Sequence, residues 1–294
     1  MAHQFKIVGV IALAATAACT TDPIAPTLKS PTLGTADVTA ASTHNVVVTE
    51  SDIARQPDGT FPTRSWVFYT VTPTTATGAF VSGPGDPPLG VGSFEMVTPS
   101  ATDHGFLFNY DHVNTRLDDI TAIGYSTYRA SGQAAVAIQL PSINIEIDKN
   151  GGAFVSGDYA TLVFEPVYNP TKGAVEPGRW QPWNAIDGIW WSTKDIGGIS
   201  ARTYVPWSVI VAANPDATIL AGFGVNQGSG STGLTASTDA LTIGYGGTTW
   251  IYNFEPFRSK KDCKKAAKDD DGRDKDKDKD KDKCKDKDKS SDED

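Results

Sequence analysis

No cysteine lies between Thr20 and Asp262; the three in the chain are Cys19, Cys263 and Cys284. Disulfide staples are therefore excluded for that whole stretch, which must hold itself together by burying apolar surface, as a chain of this length can. Histidine is scarce too, with His3, His44, His104 and His112 in all. Such a set builds no zinc cluster, and His104 and His112 read as loop residues. No apolar run approaches the ~20 residues that a membrane-spanning helix needs. An excess of positive charge is also missing: from Arg258 onward there are 15 basic and 14 acidic residues, which leaves 11 basic against 21 acidic before it. An acidic body argues against nucleic acid as a partner.

What is present begins with an export signal. Lys6 precedes Ile7 to Ala18, a run of apolar, small and Thr residues ending at Cys19, the composition of a secretory h-region. Two cleavage readings stay open. Ala15-Thr16-Ala17 fits an ordinary signal peptidase, whereas Thr16-Ala17-Ala18-Cys19 resembles a lipobox with Thr16 where Leu is usual. Lipidation at Cys19 is the favoured expectation, and it leaves Cys263 and Cys284 as an even pair that could form a disulfide in an oxidising compartment. The chain then divides into a signal (1–18), a lipidated Cys with a Thr/Pro/Ala-rich tether (19–43), a folded domain (44–257) and an Asp/Lys-rich tail (258–294). Tether and tail lack the apolar residues to bury a core and are expected to be disordered.

All seven tryptophans fall in the folded segment. Short β-prone runs recur there between Gly, Pro, Asn and Asp, beginning with His44-Asn-Val-Val-Val-Thr49. Strands are expected near residues 65–71, 78–82, 91–97, 105–110, 120–129, 142–148, 161–168, 188–192, 217–225, 240–244 and 249–254. The clearest alternation is Ile143-Asn-Ile-Glu-Ile147, one apolar and one polar face. Only Pro206 to Pro215 reads as a helix, with Ser208 to cap it, Pro215 to stop it, and an open end of the core to plug. The expected fold is all-β, a two-sheet antiparallel sandwich of jelly-roll type with one short helix.

The segments Gly83-Pro-Gly-Asp-Pro-Pro-Leu-Gly-Val-Gly-Ser-Phe94, Leu117-Asp-Asp-Ile-Thr-Ala-Ile-Gly-Tyr-Ser-Thr-Tyr128 and Gly222-Phe-Gly-Val-Asn-Gln-Gly-Ser-Gly230, with Leu241-Thr-Ile-Gly and Tyr252-Asn-Phe-Glu-Pro256, resemble a domain that recurs in exported bacterial proteins. The resemblance spans nearly all of 60–257 and implies a concanavalin- or laminin-G-like sandwich. It implies no catalytic residue. A short Cys-Lys segment often follows that domain; Ser259-Lys-Lys-Asp-Cys-Lys-Lys265 keeps its start and the Asp-Lys repeat replaces the rest.

Four features could carry chemistry. Glu146-Ile147-Asp148 resembles the carboxylate strand of retaining glycosidases on related folds, whose paired groups stand ~5 Å apart. The third position would be Asn150 or Gly151, so no acid-base residue follows, and a surface-facing Glu with a strand-ending Asp is the expectation. Trp180, Trp183, Trp190, Trp191 and Trp207 lie within 28 residues, and tryptophan faces stack on sugar rings; the first four are the candidate ligand-binding residues. In a strand, Trp190 and Trp191 must face opposite ways, one into the core. Asp111, Asn114, Asp118 and Asp119 offer hard oxygens to a structural Ca²⁺, although their spacing is not that of an EF-hand and turn formation explains them equally. The glycine-rich 222–230 run is expected to be a tight loop using positive φ. These readings support an envelope-anchored module, attached to membrane through Cys19 and located at the outer membrane, or secreted if Cys19 is not acylated. Its expected partner is polysaccharide; the alternatives are a structural or adhesive envelope protein and, third, a polysaccharide-active enzyme.

Overall fold

The computed structural model describes residues 41–54, 66–71, 74–133, 135–228 and 230–257. Cys19, Cys263, Cys284, the signal, most of the tether and the tail lie outside them. Among the described residues the chain forms fourteen strands and one α-helix. The first sheet holds β1 (Ser42–Val48), β3 (Thr77–Ser82), β4 (Gly92–Thr98), β6 (Ile120–Arg129), β9 (Trp180–Asn184), β13 (Leu234–Tyr245) and β14 (Thr248–Phe254). The second holds β2 (Trp66–Thr70), β5 (Gly105–Asn109), β7 (Ser142–Asp148), β8 (Tyr159–Phe164), β10 (Ile189–Ser192), β11 (Val205–Pro206) and β12 (Thr218–Gln227), in the order β11-β10-β8-β7-β12-β5-β2. Pairing is antiparallel except between β1 and β14, which run parallel.

The two sheets enclose one main core. Alternation along β7 sends Ile143, Ile145 and Ile147 inward, where they meet Ile219, Phe223 and Val225 of β12 and, from the first sheet, Ile243, Tyr252 and Phe254. Strands β6 and β7 coincide with the expected spans. β9 and β11 were not expected, because Trp180-Gln-Pro-Trp-Asn184 carries a proline and β11 is two residues long. The 161–168 strand ends at Phe164, since Pro166 opens a single 3-10 turn.

The helix, α1 (Trp207–Ala213), has Pro206 rather than Ser208 at its N-cap position, so the expected serine cap is corrected. Its C-terminus is closed by Asn214, whose side-chain amide donates to the Ile210 carbonyl at 2.8 Å. Trp207 and Ile210 are buried in the main core, and Trp207 packs on Trp190 with ring centroids 5.2 Å apart.

β13 organises the first sheet. β6 runs along one of its edges, while the other is shared by β4 against Leu234–Thr238 and β14 against Leu241–Tyr245. Between them the register slips, and Ala240 takes φ +54. Asp239, fully buried, fills this fork: Oδ1 accepts the Phe254 N–H and Oδ2 the Leu89 N–H, each at 3.0 Å. Beside it, Glu255 accepts the Val91 N–H at 2.9 Å. A side chain at Gly92 would collide with the Pro256 ring, so the strand ends can abut only at glycine. Burial pushes the Asp239 carboxyl up to about 7, against the pull of the Phe254, Ala240 and Leu89 N–H groups and with a push from Glu255.

His112 lies in a turn, as expected of a loop residue. It is nevertheless buried, with Nε2 2.7 Å from the Tyr252 hydroxyl and Nδ1 3.1 Å from that of Tyr245. Burial holds its imidazole down at about 4, despite Asp111.

The two groups tilt stability in opposite senses. The folded state keeps the Asp239 proton that the unfolded chain releases near pH ~4, so this group removes up to about 1.4 kcal/mol per pH unit as pH rises through that window to about 7. His112 sheds a proton the unfolded chain holds, so its contribution is lost as pH falls from about 6.5 toward about 4. The comparison of wild type with Asp239→Asn isolates the first. Urea unfolding should show the variant less stable at pH 4, with the gap narrowing toward pH 7; a gap independent of pH would contradict the assignment.

Candidate functional site

The face of the second sheet turned away from the core carries polar and aromatic side chains together. The inward turn of the β7 isoleucines leaves Asn144 and Glu146 outside, and β8 buries Ala160, Leu162 and Phe164 while presenting Tyr159, Thr161 and Val163. β10 separates its adjacent tryptophans. Trp190 is fully buried with its indole N–H on the Ala185 carbonyl at 2.8 Å, and Trp191 is half-buried on the outer face. Register aligns Trp191 with Val163, Val163 with Asn144, Asn144 with Gly224, Gly224 with Phe108 and Phe108 with Val67. At ~4.8 Å per strand, the backbones of Trp191 and Phe108 stand ~19 Å apart across this face.

A cleft of about 430 Å³ lies along it. Its wall at the β2/β5 end is the Tyr69 ring stacked on Phe106, centroids 4.8 Å apart and planes within 8°. The opposite end is Trp191 with Glu165, and the space between is lined by Asn144, Glu146, Thr161 and Asn226. The rest of the aromatic end is a second small core, in which Val67, Phe108 and Tyr110 pack on the outer face.

That second core explains the glycine-rich run. Residues 222–227 belong to β12, which bears out the expected 217–225 strand over the loop reading of the same run, and Gly222, Gly224 and Gly228 do not use positive φ; Gly230 does, at +94. The Phe108 ring lies over β12. A Cβ on Gly222 would run into that ring, and one on Gly224 would run into the Leu107 carbonyl oxygen as well.

Glu146 is fixed by an irregularity in the same strand. β12 pairs Ile219 with Ile147 and Phe223 with Ile145, so three residues of β12 bulge opposite Glu146 alone. The Gly222 N–H, freed from the ladder, donates to Glu146 Oε2 at 2.9 Å, and the Tyr159 hydroxyl donates to Oε1 at 3.0 Å. Burial raises the Glu146 carboxyl, and these two donors oppose the rise. Tyr159 is in turn pushed up to about 12 by burial and by Glu146. Glu146 thus faces outward as expected, and there it is a half-buried cleft residue. Asp148 does not join it: its Oδ1 accepts the Asn150 and Gly151 N–H groups at 3.0 and 3.1 Å and holds the turn.

Glu165 sits just past β8. Its Oε2 accepts the Trp191 indole N–H at 2.7 Å, which sets the plane of that ring. Burial raises this carboxyl too, and the indole lowers it. Beyond it the exposed rings of Tyr168 and Tyr204 meet at 4.6 Å, with the Tyr168 N–H donating to the Glu165 carbonyl at 3.2 Å.

The tryptophans that cluster in sequence part company in space. Only Trp191 of the four candidates lines the cleft. Trp183 is buried in the core with its N–H on Thr127 at 2.8 Å, and Trp180 belongs to the other sheet, its N–H on the Pro84 carbonyl at 2.8 Å and its ring against Tyr128. The proposed Ca²⁺ ligands do not assemble either. Asp118 pairs with Arg116 at 2.8 Å, Asp111 takes the Asn109 amide at 3.0 Å, Asn114 occupies a turn at φ +69, and the Asp119 N–H closes onto the Arg116 carbonyl at 3.2 Å. Among the described residues no three His, Cys, Asp or Glu side chains come together as a metal site. Sequence reasoning missed Tyr69, Phe106, Tyr159 and Glu165. The one signal available was Phe106-Leu-Phe108, apolar on both faces of a strand, which marks a strand covered on both sides.

Comparison of the chain with protein-family models, with curated proteins and with solved structures finds no match.

The packing of Phe108 on β12 is open to a double-mutant test. Gly222→Ala and Gly224→Ala should each cost on the order of 1–3 kcal/mol by overpacking. In a Phe108→Ala background the cost of Gly222→Ala should largely vanish, because the atoms nearest its Cβ all belong to the ring. That of Gly224→Ala should persist, because the Leu107 carbonyl stays in place. Urea denaturation of the two cycles measures both couplings.

Proposed function

We propose that the domain binds carbohydrate in this cleft. The observation that carries the reading is the pairing of two aromatic surfaces, the Tyr69–Phe106 stack and Trp191, at either end of a groove whose middle offers the side chains of Asn144, Glu146, Thr161 and Asn226. Aromatic faces supply apolar area for sugar rings, while a few placed amides and carboxylates fix the hydroxyls. Both ends are held rigid by neighbours, so little ordering free energy is lost when a glycan enters.

Binding is favoured over hydrolysis by the placement of the carboxylates. Glu146 lies opposite Thr161, four residues along β8 from Glu165, which is ~13 Å of strand. Glycosidase pairs stand ~5 to 9.5 Å apart, and Glu146 is drawn toward Tyr159, on the side of Thr161 away from Glu165. In this reading the protein is exported and held at the cell envelope by acylated Cys19, and the segment between Cys19 and β1 is a tether that carries the cleft clear of the membrane. Acyl labelling that disappears in Cys19→Ser checks the anchor.

A glycan array with the purified protein, followed by calorimetry on the oligosaccharides it retains, tests the cleft. Trp191→Ala should weaken binding at least about ten-fold, ~1.4 kcal/mol, with little change in melting temperature. Trp190→Ala should instead cost roughly 3–5 kcal/mol of stability. Full retention of glycan binding in Trp191→Ala would remove the cleft from the account, and release of reducing ends from β-glucan would reinstate an enzyme.

A further inference from the structure

The charge lining the cleft is one-sided. Glu146 and Glu165 both line it, both are partly withdrawn from water, and neither has an ion-pair partner among the described residues. No lysine or arginine lines it; His104, beside Phe106, is the one basic side chain among the described lining residues. The ammonium of Lys194 sits 5.2 Å over the Tyr159 ring and not on either carboxylate.

Two partly buried carboxylates without an ion-pair partner among the described residues leave a negative field in a partly enclosed space, where a charge acts more strongly than at the open surface. Glu165 uses Oε2 for the Trp191 indole, and no described donor reaches its other oxygen. A cleft-lining carboxylate thus keeps an acceptor available beside an aromatic face, the combination that receives an ammonium group through a charge-assisted hydrogen bond and a cation–π contact. Asn144 lines the same space and can add a donor to it. It is over nine-tenths buried, its Oδ1 accepts the Ser142 hydroxyl at 2.9 Å, and its amide nitrogen, among the described residues, donates to nothing.

From this arrangement we infer that the cleft selects glycans bearing free amino groups, such as de-N-acetylated glucosamine chains, with Glu165 and Trp191 receiving the ammonium and Asn144 donating to a sugar oxygen. The inference rests on the carbohydrate reading above and names its substrate class. The same one-sided field excludes uronic-acid and phosphate-bearing polymers, whose charge would face two carboxylates across the cleft.

The test is calorimetric titration of the whole purified protein with a glucosamine hexamer, its fully N-acetylated counterpart, cellohexaose and a lysine hexapeptide, at low and at high salt. The glucosamine chain should bind at least about ten-fold tighter than the N-acetylated and neutral hexamers, and the ratio should shrink in high salt. Glu165→Gln, which keeps an oxygen for the Trp191 indole, should bring that ratio near one. Its melting temperature reports whether the fold survives, and the salt dependence of wild type decides the matter if it does not. Equal or tighter binding of the N-acetylated or neutral hexamer would overturn the amine preference and leave carbohydrate binding standing, whereas silence toward every oligosaccharide would overturn both. A lysine peptide that binds as tightly as the glucosamine chain, or a preference that survives Glu165→Gln, would show attraction to the acidic surface at large and overturn the assignment to the cleft.

Discussion

A single buried carboxylate decides how the first sheet can exist. β13 has an edge long enough for two partners, and where β4 ends its claim and β14 begins there is no strand to receive the Phe254 and Leu89 N–H groups. Asp239 receives them. A buried donor left without a partner costs about 1–3 kcal/mol, and two such donors at one point would pull both strand ends from the sheet. β3 is attached through β4 and β1 through β14, so four of the seven strands depend on that fork. The core depends on it in turn, since Phe94 of β4 and Phe254 of β14 pack together at 6.3 Å, and Phe254 meets Trp66 of the opposite sheet at 5.3 Å.

The second sheet uses a carboxylate for a related purpose and to a different end. Glu146 also receives a backbone N–H stranded by an irregularity, the β12 bulge. Asp239 is sealed among strand ends, whereas Glu146 stands at the floor of a cleft. Its burial is incomplete, so the group that satisfies the bulge is still presented to whatever enters. Glu165 combines structure and presentation in the same way, lining the cleft while one oxygen holds a ring. Groups already fixed by the fold lose little freedom on binding, which is how a groove of modest polarity gains selectivity.

The fold was legible in the sequence wherever one face of a strand is wet or merely polar. Ile143, Ile145 and Ile147 alternate with Asn144 and Glu146, and the register of β7 follows. The glycine run of β12 misled because glycine serves two needs that look alike in a sequence, positive φ and close approach of a neighbour; at Gly222 and Gly224 the need is room for the Phe108 ring. The tryptophans misled for a related reason. Proximity along the chain becomes proximity in space only within one element, and Trp180 and Trp190 belong to different sheets.

What the sequence determined by itself is the class of fold and the location of most strands, because alternation and turn residues are local and each strand carries its own record of which face is buried. It also determined that Trp190 and Trp191 face opposite ways, since that follows from the pleat alone. Which of them is buried, and that Trp191, Glu165, Glu146, Tyr69 and Phe106 share one cleft, was decided by the tertiary structure. Those residues come from five strands or strand ends spread over more than 120 positions, and their neighbourhood is set by the order and register in which β10, β8, β7, β12, β5 and β2 pair. Strand order is a property of long-range hydrogen bonding and packing, and no window of local sequence contains it.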